Sequence, residues 1–183
     1  MGYISCYDKL MKYIFCSVLI LLVMAGCSRR PTPAAETPHK KHTSSKSQIA
    51  TSQYMSIEAK NSSRLKKLYL QYKRWKGTPY QYGGLSQEGV DCSGFVHQTY
   101  RSLFKISLPR ATKDQVTRGK RVYINQLTAG DLVFFKTRWN VRHVGIYLEK
   151  GKFVHASSNK GVMISTLYSG YWKKHYWQAR RLL

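Results

Sequence analysis

The chain has 183 residues, of which 43% are hydrophobic and 13% aromatic, so it can build a core and is not disordered throughout. This length suits one domain of ordinary size and excludes two domains joined by a linker. Lysine and arginine number 31 against 8 aspartate and glutamate residues, a formal charge of +23. Because like positive charges repel one another in a compact protein, this net charge indicates an anionic partner. The candidates are nucleic acid, anionic lipid and an anionic cell-wall polymer.

The N-terminus has the pattern of a secretory signal. Lys9 and Lys12 precede an apolar stretch over residues 13–26, which is shorter than the roughly 20 residues that a membrane-spanning helix needs. A simple membrane anchor is the alternative interpretation. Translation could also start at Met11, which would shorten the region before the apolar stretch.

The apolar stretch ends in Val-Met-Ala-Gly-Cys at residues 23–27, which resembles the bacterial lipobox, with Met24 as an imperfect match. The resemblance implies cleavage before Cys27 and lipidation of its thiol. Ser28, at the next position, implies sorting to the outer membrane. We therefore expect residues 1–26 to be a lipoprotein signal peptide and the mature protein to be an exported outer-membrane lipoprotein that faces the periplasm.

Processing of this kind leaves one free thiol. Cys6 and Cys16 lie in the signal peptide and Cys27 is acylated, so the mature chain keeps Cys92. A single cysteine cannot form an internal disulfide in an exported protein. Cys92 is therefore either a buried core residue or a reactive thiol.

The segment after the lipidated cysteine is predicted to be a tether. Residues 28–63 contain 15 serine, threonine or proline residues in 36 and almost no aliphatic side chains. This composition cannot bury a core and predicts disorder. We assign residues 27–62 to the lipidated cysteine and the disordered tether, and residues 63–183 to the folded domain.

The first ordered element is predicted to be a helix that begins near Asn61. Apolar side chains then fall on one helical face, with lysine and arginine on the other; they are Leu65, Leu68, Tyr69, Tyr72 and Trp75. Gly77 and Pro79 end the helix. A basic amphipathic helix could lie on a membrane, but its length and aromatic face favour packing on a globular core.

A second helix is predicted to begin near Cys92, and short β runs follow it. The runs cover residues 131–135, 141–148, 153–156, 162–167 and 176–182. A turn at residues 149–152 joins the second run to the third as a hairpin. Helices first and strands afterwards predict an α+β fold in which the helices pack on an antiparallel sheet of about five to six strands.

Cys92 lies where a thiol can become a nucleophile. Asp91 can cap the helix whose first turn contains Cys92, and free N–H groups and the helix dipole favour a thiolate there. A nucleophile also needs a base, and His143 and His155 lie on neighbouring predicted strands, where one could act as base and the other orient it. The remaining histidines, expected in the tether or in structural roles, are His39, His42, His97 and His175.

Strand geometry sets a condition on this histidine pair. His143 and His155 are an even number of residues apart, and side chains alternate between the two faces of a sheet. They share a face only if the connecting loop has an odd number of residues, three or five, or contains a bulge. A two- or four-residue turn would place them on opposite faces and exclude the pair.

Six segments, in this order, resemble the NlpC family of papain-like cell-wall cysteine peptidases. They are GTPYQYGG at 77–84, DCSGFV at 91–96, PRAT at 109–112, AGDLVFF at 129–135, HVGIY at 143–147 and HAS at 155–157. The resemblance extends from residue 65 to the C-terminus. It implies a papain-like fold, with Cys92 as nucleophile, His143 as general base and later general acid, and His155 as the residue that orients His143.

The same resemblance implies a substrate-binding and oxyanion role for two further residues. Tyr80 matches a tyrosine of the family that lines the substrate site and can donate its hydroxyl to the oxyanion, with Tyr82 as the nearby alternative. Asp91 could contact polar groups of the substrate, although helix capping explains it equally well.

The implied substrate is peptidoglycan, cut in its stem peptides around D-glutamate and diaminopimelate or at a cross-link. Two alternatives stay open: an amidase or acyltransferase of papain-like fold, and a basic lipoprotein that binds the cell wall without catalysis. Export argues against nucleic acid as the partner. The predicted folded domain, residues 63–183, has no His-x-x-His or Cys-x-x-Cys pair to start a metal site, and the resemblance implies no cofactor.

Overall fold

The computed structural model of the protein describes residues 44–138 and 141–183. The predicted signal peptide, Cys27 and the first part of the tether lie outside these residues. Four described helices are α1 Ser44–Trp75, α2 Cys92–Phe104, α3 Thr112–Gln115 and α4 Gly170–His175, with a 3₁₀ turn at Ile124–Gln126. None of the described helices combines the length and the apolar character needed to cross a bilayer.

Six strands in the described part of the chain form one antiparallel sheet. They are β1 Lys120–Val122, β2 Leu132–Arg138, β3 Val141–Tyr147, β4 Lys152–Ser157, β5 Gly161–Thr166 and β6 Tyr176–Arg181, in the spatial order β1-β6-β2-β3-β4-β5. The predicted α+β fold with five to six antiparallel strands is confirmed. All five predicted β runs are strands, and β1 is an additional one whose three residues are too few to show an alternating pattern.

Helix α1 begins at Ser44, so the predicted start near Asn61 is wrong. A polar composition argues against burial but not against a helix, and neither glycine nor proline interrupts residues 44–75. Side chains from 48 to 60 are all exposed, and contact with the core begins at Asn61, whose Oδ1 accepts a 3.1 Å hydrogen bond from the Ala129 N–H. The division into a tether and a catalytic domain at residues 62 and 63 stays a prediction.

The predicted apolar face of α1 is confirmed, because Leu68 and Trp75 are buried and the other three members of the face pack against the core. Helices α1 and α2 cover one face of the sheet. The opposite face carries a second apolar cluster, which contains Phe135, Phe153 and Trp172 from α4. Since both faces are covered, β2 has an unbroken apolar run instead of an alternating one.

Candidate active site

Cys92 is the first residue of α2, and the residue before it caps this helix. Asp91 has an extended backbone (φ −91°, ψ 174°), and its Oδ1 accepts a 2.7 Å hydrogen bond from the Gly94 N–H. An extended Asp at this position satisfies one of the donors that a helix leaves free at its N-terminus. The local sequence therefore holds the Cys92 thiol at the positive end of the α2 dipole, as predicted.

The two histidines occupy one face of the β3–β4 hairpin. The backbone pairs Ile146 with Val154 and Tyr147 with Phe153, and Leu148 N–H bonds the Lys152 carbonyl, so three residues form the loop. This odd count meets the condition derived from the sequence.

Within that face the two imidazoles are in direct contact. His143 Nε2 and His155 Nδ1 lie 2.9 Å apart, and the two rings are nearly perpendicular, at 86°. Gly145 permits this approach: a Cβ there would lie 2.6 Å from the Phe153 ring and 3.2 Å from the His155 Cβ.

Cys92 and the histidine pair contact different apolar clusters, on opposite faces of the sheet. The thiol packs in the cluster under α1 and α2, whereas His143 contacts Phe135 and Trp172 on the other side. Strands β3 and β4 are paired only at their hairpin end, so β3 has a free edge at Val144 among the described residues. The backbone N–H of Val144, the residue after His143, is one of the groups that lower the pKa of the Cys92 thiol.

Burial raises the pKa of the Cys92 thiol, and hydrogen bonds from the Val144 N–H and the Thr112 side chain offset only part of that rise. Cys92 is 6% exposed, and its sulfur lies 3.8 Å from Thr112 Oγ1. The expected thiolate at the helix N-terminus is therefore not the favoured form in this structure. The physical reason is that the free-energy cost of removing a thiolate from water is larger here than the stabilisation that the helix N-terminus gives it.

The histidines are also held in their neutral form. Burial lowers the pKa of His143 to about 4. Burial, and then repulsion from His143, holds the pKa of His155 well below its usual range. The rings of Phe135, Phe153 and Trp172 surround the pair, and no described carboxylate is hydrogen-bonded to either imidazole. At pH 7 the thiol and both imidazoles are therefore uncharged.

Ser165 extends the chain of hydrogen bonds beyond the histidines. Its Oγ lies 2.9 Å from His155 Nε2, the ring nitrogen that His143 does not contact. Sequence reasoning missed Ser165 because it lies on β5 and pairs across the sheet with Phe153, a relation that depends on register. His143 keeps its Nδ1 for another partner, since its Nε2 is used by His155.

Asp91 does more than cap α2. Besides the Gly94 N–H, its carboxylate accepts from the Gly83 N–H at 2.8 Å, from Ser93 Oγ at 3.0 Å, and from both Nη atoms of Arg110 at 2.7 and 2.8 Å. Burial opposes ionisation, but the bonds from Arg110, Gly94 and Gly83 outweigh it and lower the pKa of the carboxyl group. The structure thus uses Asp91 for capping and ion pairing, and a contact with substrate stays a prediction.

An open cleft of about 870 Å³ leads to Cys92. Tyr80 and Tyr82 both line it, and Tyr82 is 90% exposed whereas Tyr80 is partly buried. Burial, together with the negative charge that Cys92 and Asp91 can carry, raises the pKa of Tyr80 to about 12. Its hydroxyl therefore keeps its proton and can serve as a hydrogen-bond donor at neutral pH.

The remaining histidines in the described part of the chain lie apart from this chemistry. His97 Nδ1 bonds the Leu108 carbonyl at 2.7 Å, and His175 Nδ1 bonds the Tyr171 carbonyl at 2.8 Å, in line with the structural roles expected of them. Across residues 44–138 and 141–183, no group of three histidine, cysteine or acidic residues is arranged to hold a metal ion.

Sequence reasoning left two residues of the cleft without a role. Arg110 and Thr112 belong to the PRAT segment at 109–112, and the structure places them on Asp91 and Cys92 respectively. Gln115, fully buried, holds this segment by donating to the Ser93 and Pro109 carbonyls. The segment was a visible signal, but only the fold shows what it contacts.

A cysteine at a helix N-terminus and a hydrogen-bonded histidine pair on an antiparallel sheet are the features of papain-like cysteine hydrolases. Residues 77–181 match the sequence profile of the NlpC/P60 family. The chain belongs to this family.

Individual relatives agree with this assignment. A probable endopeptidase NlpC from Escherichia coli (strain K12) is 44% identical over 171 residues, which cover 92% of this chain and 99% of that protein. Murein DD-endopeptidase MepS/Murein LD-carboxypeptidase from the same strain is 39% identical over 171 residues, covering 91% and 90%. A crystal structure of an NlpC/P60 family protein from Bacillus cereus ATCC 10987 matches with a TM-score of 0.59 and 33% identity, over 64% of this chain and 39% of that one.

Proposed function

We propose that this protein is a cysteine endopeptidase of the bacterial envelope that hydrolyses amide bonds in peptidoglycan, in the D-glutamate and diaminopimelate region of the stem peptides or at their cross-links. The observation that carries the proposal is the 2.9 Å contact of His143 with His155, together with a cysteine at a helix N-terminus that lines a cleft. The names of two relatives, an endopeptidase and a murein DD-endopeptidase, support the substrate class.

In the first step the thiol proton moves to the free Nδ1 of His143 while the Cys92 sulfur attacks the carbonyl carbon of the amide. The carbonyl oxygen becomes an oxyanion, for which the Cys92 N–H at the helix N-terminus and the Tyr80 hydroxyl are the donors. The imidazolium then gives its proton to the leaving amine, and a thioester remains. Water, activated by neutral His143, hydrolyses the thioester and restores the thiol.

This sequence of steps defines the proton positions along the hydrogen-bonded chain. If His143 Nδ1 is to accept the thiol proton, its other nitrogen, Nε2, must carry the hydrogen and donate it to His155 Nδ1. His155 must then carry its own hydrogen on Nε2 and donate it to Ser165 Oγ. We infer that Ser165 is a positioning residue that selects the reactive tautomer through His155.

Replacing Ser165 with alanine is expected to lower kcat by about tenfold with little change in KM, since the buried His155 N–H loses its acceptor. Ser165→Thr keeps the hydroxyl and should retain most of the activity. Steady-state kinetics on a soluble muropeptide measures both, and ¹⁵N NMR of the histidines reports the tautomer directly. The matched control is Ser158→Ala, an exposed serine just beyond β4. Equal kcat values for Ser165→Ala and the control would contradict the role.

We also propose that the chain is attached to the outer membrane through a lipid on Cys27, on the basis of the lipobox resemblance. Replacing Cys27 with alanine in the full-length precursor is expected to abolish incorporation of labelled palmitate and to move the protein out of the membrane fraction. Labelling and fractionation in a bacterial host measure this, with Cys16→Ala as control. Undiminished labelling of the Cys27 variant would contradict the proposal.

Incubation of the protein with purified peptidoglycan, followed by mass spectrometry of the released fragments, tests the function as a whole. New soluble peptides are expected, and their masses identify the bond that is cut. Unchanged peptidoglycan that nevertheless binds the protein would favour a non-catalytic wall-binding lipoprotein. Turnover of a simple acyl ester or amide without cutting of peptidoglycan would favour an amidase or acyltransferase.

A further inference from the structure

The charges that line the cleft are not balanced. Among the described residues of its wall, Asp91 is the one acid, and it forms a two-point ion pair with Arg110. Its oxygens are fully occupied by this pair and by the Gly83, Ser93 and Gly94 donors described above. Asp91 therefore has no oxygen left for a substrate cation, and the charge of Arg110 is cancelled locally.

Two further cations of the wall have no such partner. Lys113 and Arg142 both line the cleft and are both exposed, and neither forms a salt bridge with a described carboxylate. They belong to different elements of the fold. Lys113 follows Thr112, which contacts the Cys92 sulfur, and Arg142 precedes His143 on β3.

Arg142 is also held in place. Its guanidinium carbon lies 5.3 Å from the centre of the Trp177 ring, a cation–π distance. Stacking of this kind restricts the side chain while leaving its N–H groups free to bind a planar carboxylate. The cleft wall therefore carries two positive charges without a described acidic partner, and one of them, Arg142, is held against an aromatic ring.

We propose that Lys113 and Arg142 form a carboxylate-binding subsite, and that the enzyme prefers scissile amides flanked by a free carboxylate. The inference rests on the proposed function, because peptidoglycan stem peptides carry free carboxylates next to their amide bonds. It adds how the substrate is recognised: the cleft selects anionic peptides over neutral ones, and the described residues of its wall include no free acid that could bind an ammonium group.

Matched muropeptides test this, with the stem carboxylates either free or converted to primary amides, which have the same shape without the charge. The wild-type protein is expected to cleave the acid form with a kcat/KM about five- to tenfold higher, the range of one well-placed but partly solvated charge contact. The preference should shrink when the salt concentration rises. Arg142→Gln and Lys113→Gln should each raise KM for the acid form, and the double variant should cleave both forms equally.

Lys136→Gln is the matched control, since the Lys136 ammonium lies 4.7 Å from the same Trp177 ring but does not line the cleft. It should keep the wild-type preference, and Arg142→Lys should keep part of it. Equal cleavage of acid and amide forms by the wild-type protein, or an unchanged preference in the double variant, would overturn the subsite while leaving the peptidase intact. Cleavage of neither form would overturn the proposed function, and the subsite with it.

Discussion

Replacing Cys92 with alanine is expected to stop the release of peptides from purified peptidoglycan, with a loss of rate on the order of 10⁴-fold or more. The reason is that the described residues of the cleft include no second thiol that could form the thioester. Quantitative mass spectrometry of the released fragments, at matched protein concentrations, measures the effect.

The control for this experiment is the stability of the variant. Cys92 is buried, so its truncation removes packing contacts and should cost about 1 kcal/mol, too little to unfold the domain. Thermal unfolding by circular dichroism checks this, and Cys92→Ser provides a variant closer in size. Peptide release by a folded Cys92→Ala protein at more than a hundredth of the wild-type rate would contradict the assignment of Cys92 as nucleophile.

Replacing Asp91 with alanine is expected to reduce the free energy of unfolding by about 2–4 kcal/mol, because α2 loses its cap and Arg110 its partner. The side chain of Asp91 is 7% exposed and that of Arg110 is 35% exposed, so the arginine regains part of its hydration and the loss stays below that of a fully buried pair. Urea denaturation gives the value. Activity should also fall, since the cap defines the position of Cys92 and Arg110 that of the cleft wall.

Asp131 offers a matched control for this variant. It pairs with Arg181 through two hydrogen bonds, with side-chain exposures of 2% and 33%, and its carboxylate also accepts from the Thr128 N–H. Asp131→Ala should lose a comparable amount of stability and yet keep its kcat/KM at a temperature where both variants are folded. Wild-type stability of Asp91→Ala would contradict the structural role and favour a contact with substrate.

Much of this protein could be predicted from local sequence. Short β runs bounded by turns locate the strands, and an aspartate before Cys92 marks the start of α2, because turn signals and capping depend only on neighbours along the chain. The even separation of His143 and His155 also gave a condition that the structure can test, because the two side chains share a face of the hairpin only if its loop has an odd number of residues. The PRAT segment could be identified in the sequence, but its contacts with Asp91 and Cys92 could not.

Other properties depend on distances that the sequence does not contain. The sequence did not predict that α1 begins at Ser44, because the polar composition of this segment shows that it cannot be buried but does not show whether it is helical. The pKa of Cys92 rises instead of falling, because packing under α1 and α2 removes water from a thiol whose helix position alone favours the charged form.

The active site itself combines both kinds of information. The sequence alone determined which residues can do chemistry, namely a cysteine behind a helix cap and two histidines on adjacent strands. The tertiary structure decided their surroundings: it brings the two imidazoles to 2.9 Å on one face of the β3–β4 hairpin and buries the Cys92 thiol under α1 and α2. The tertiary structure also shows the contacts of Ser165 with His155 and of Arg110 with Asp91, which are 10 and 19 residues apart along the chain. Contacts of this kind arise from strand register and chain packing and leave no local pattern in the sequence.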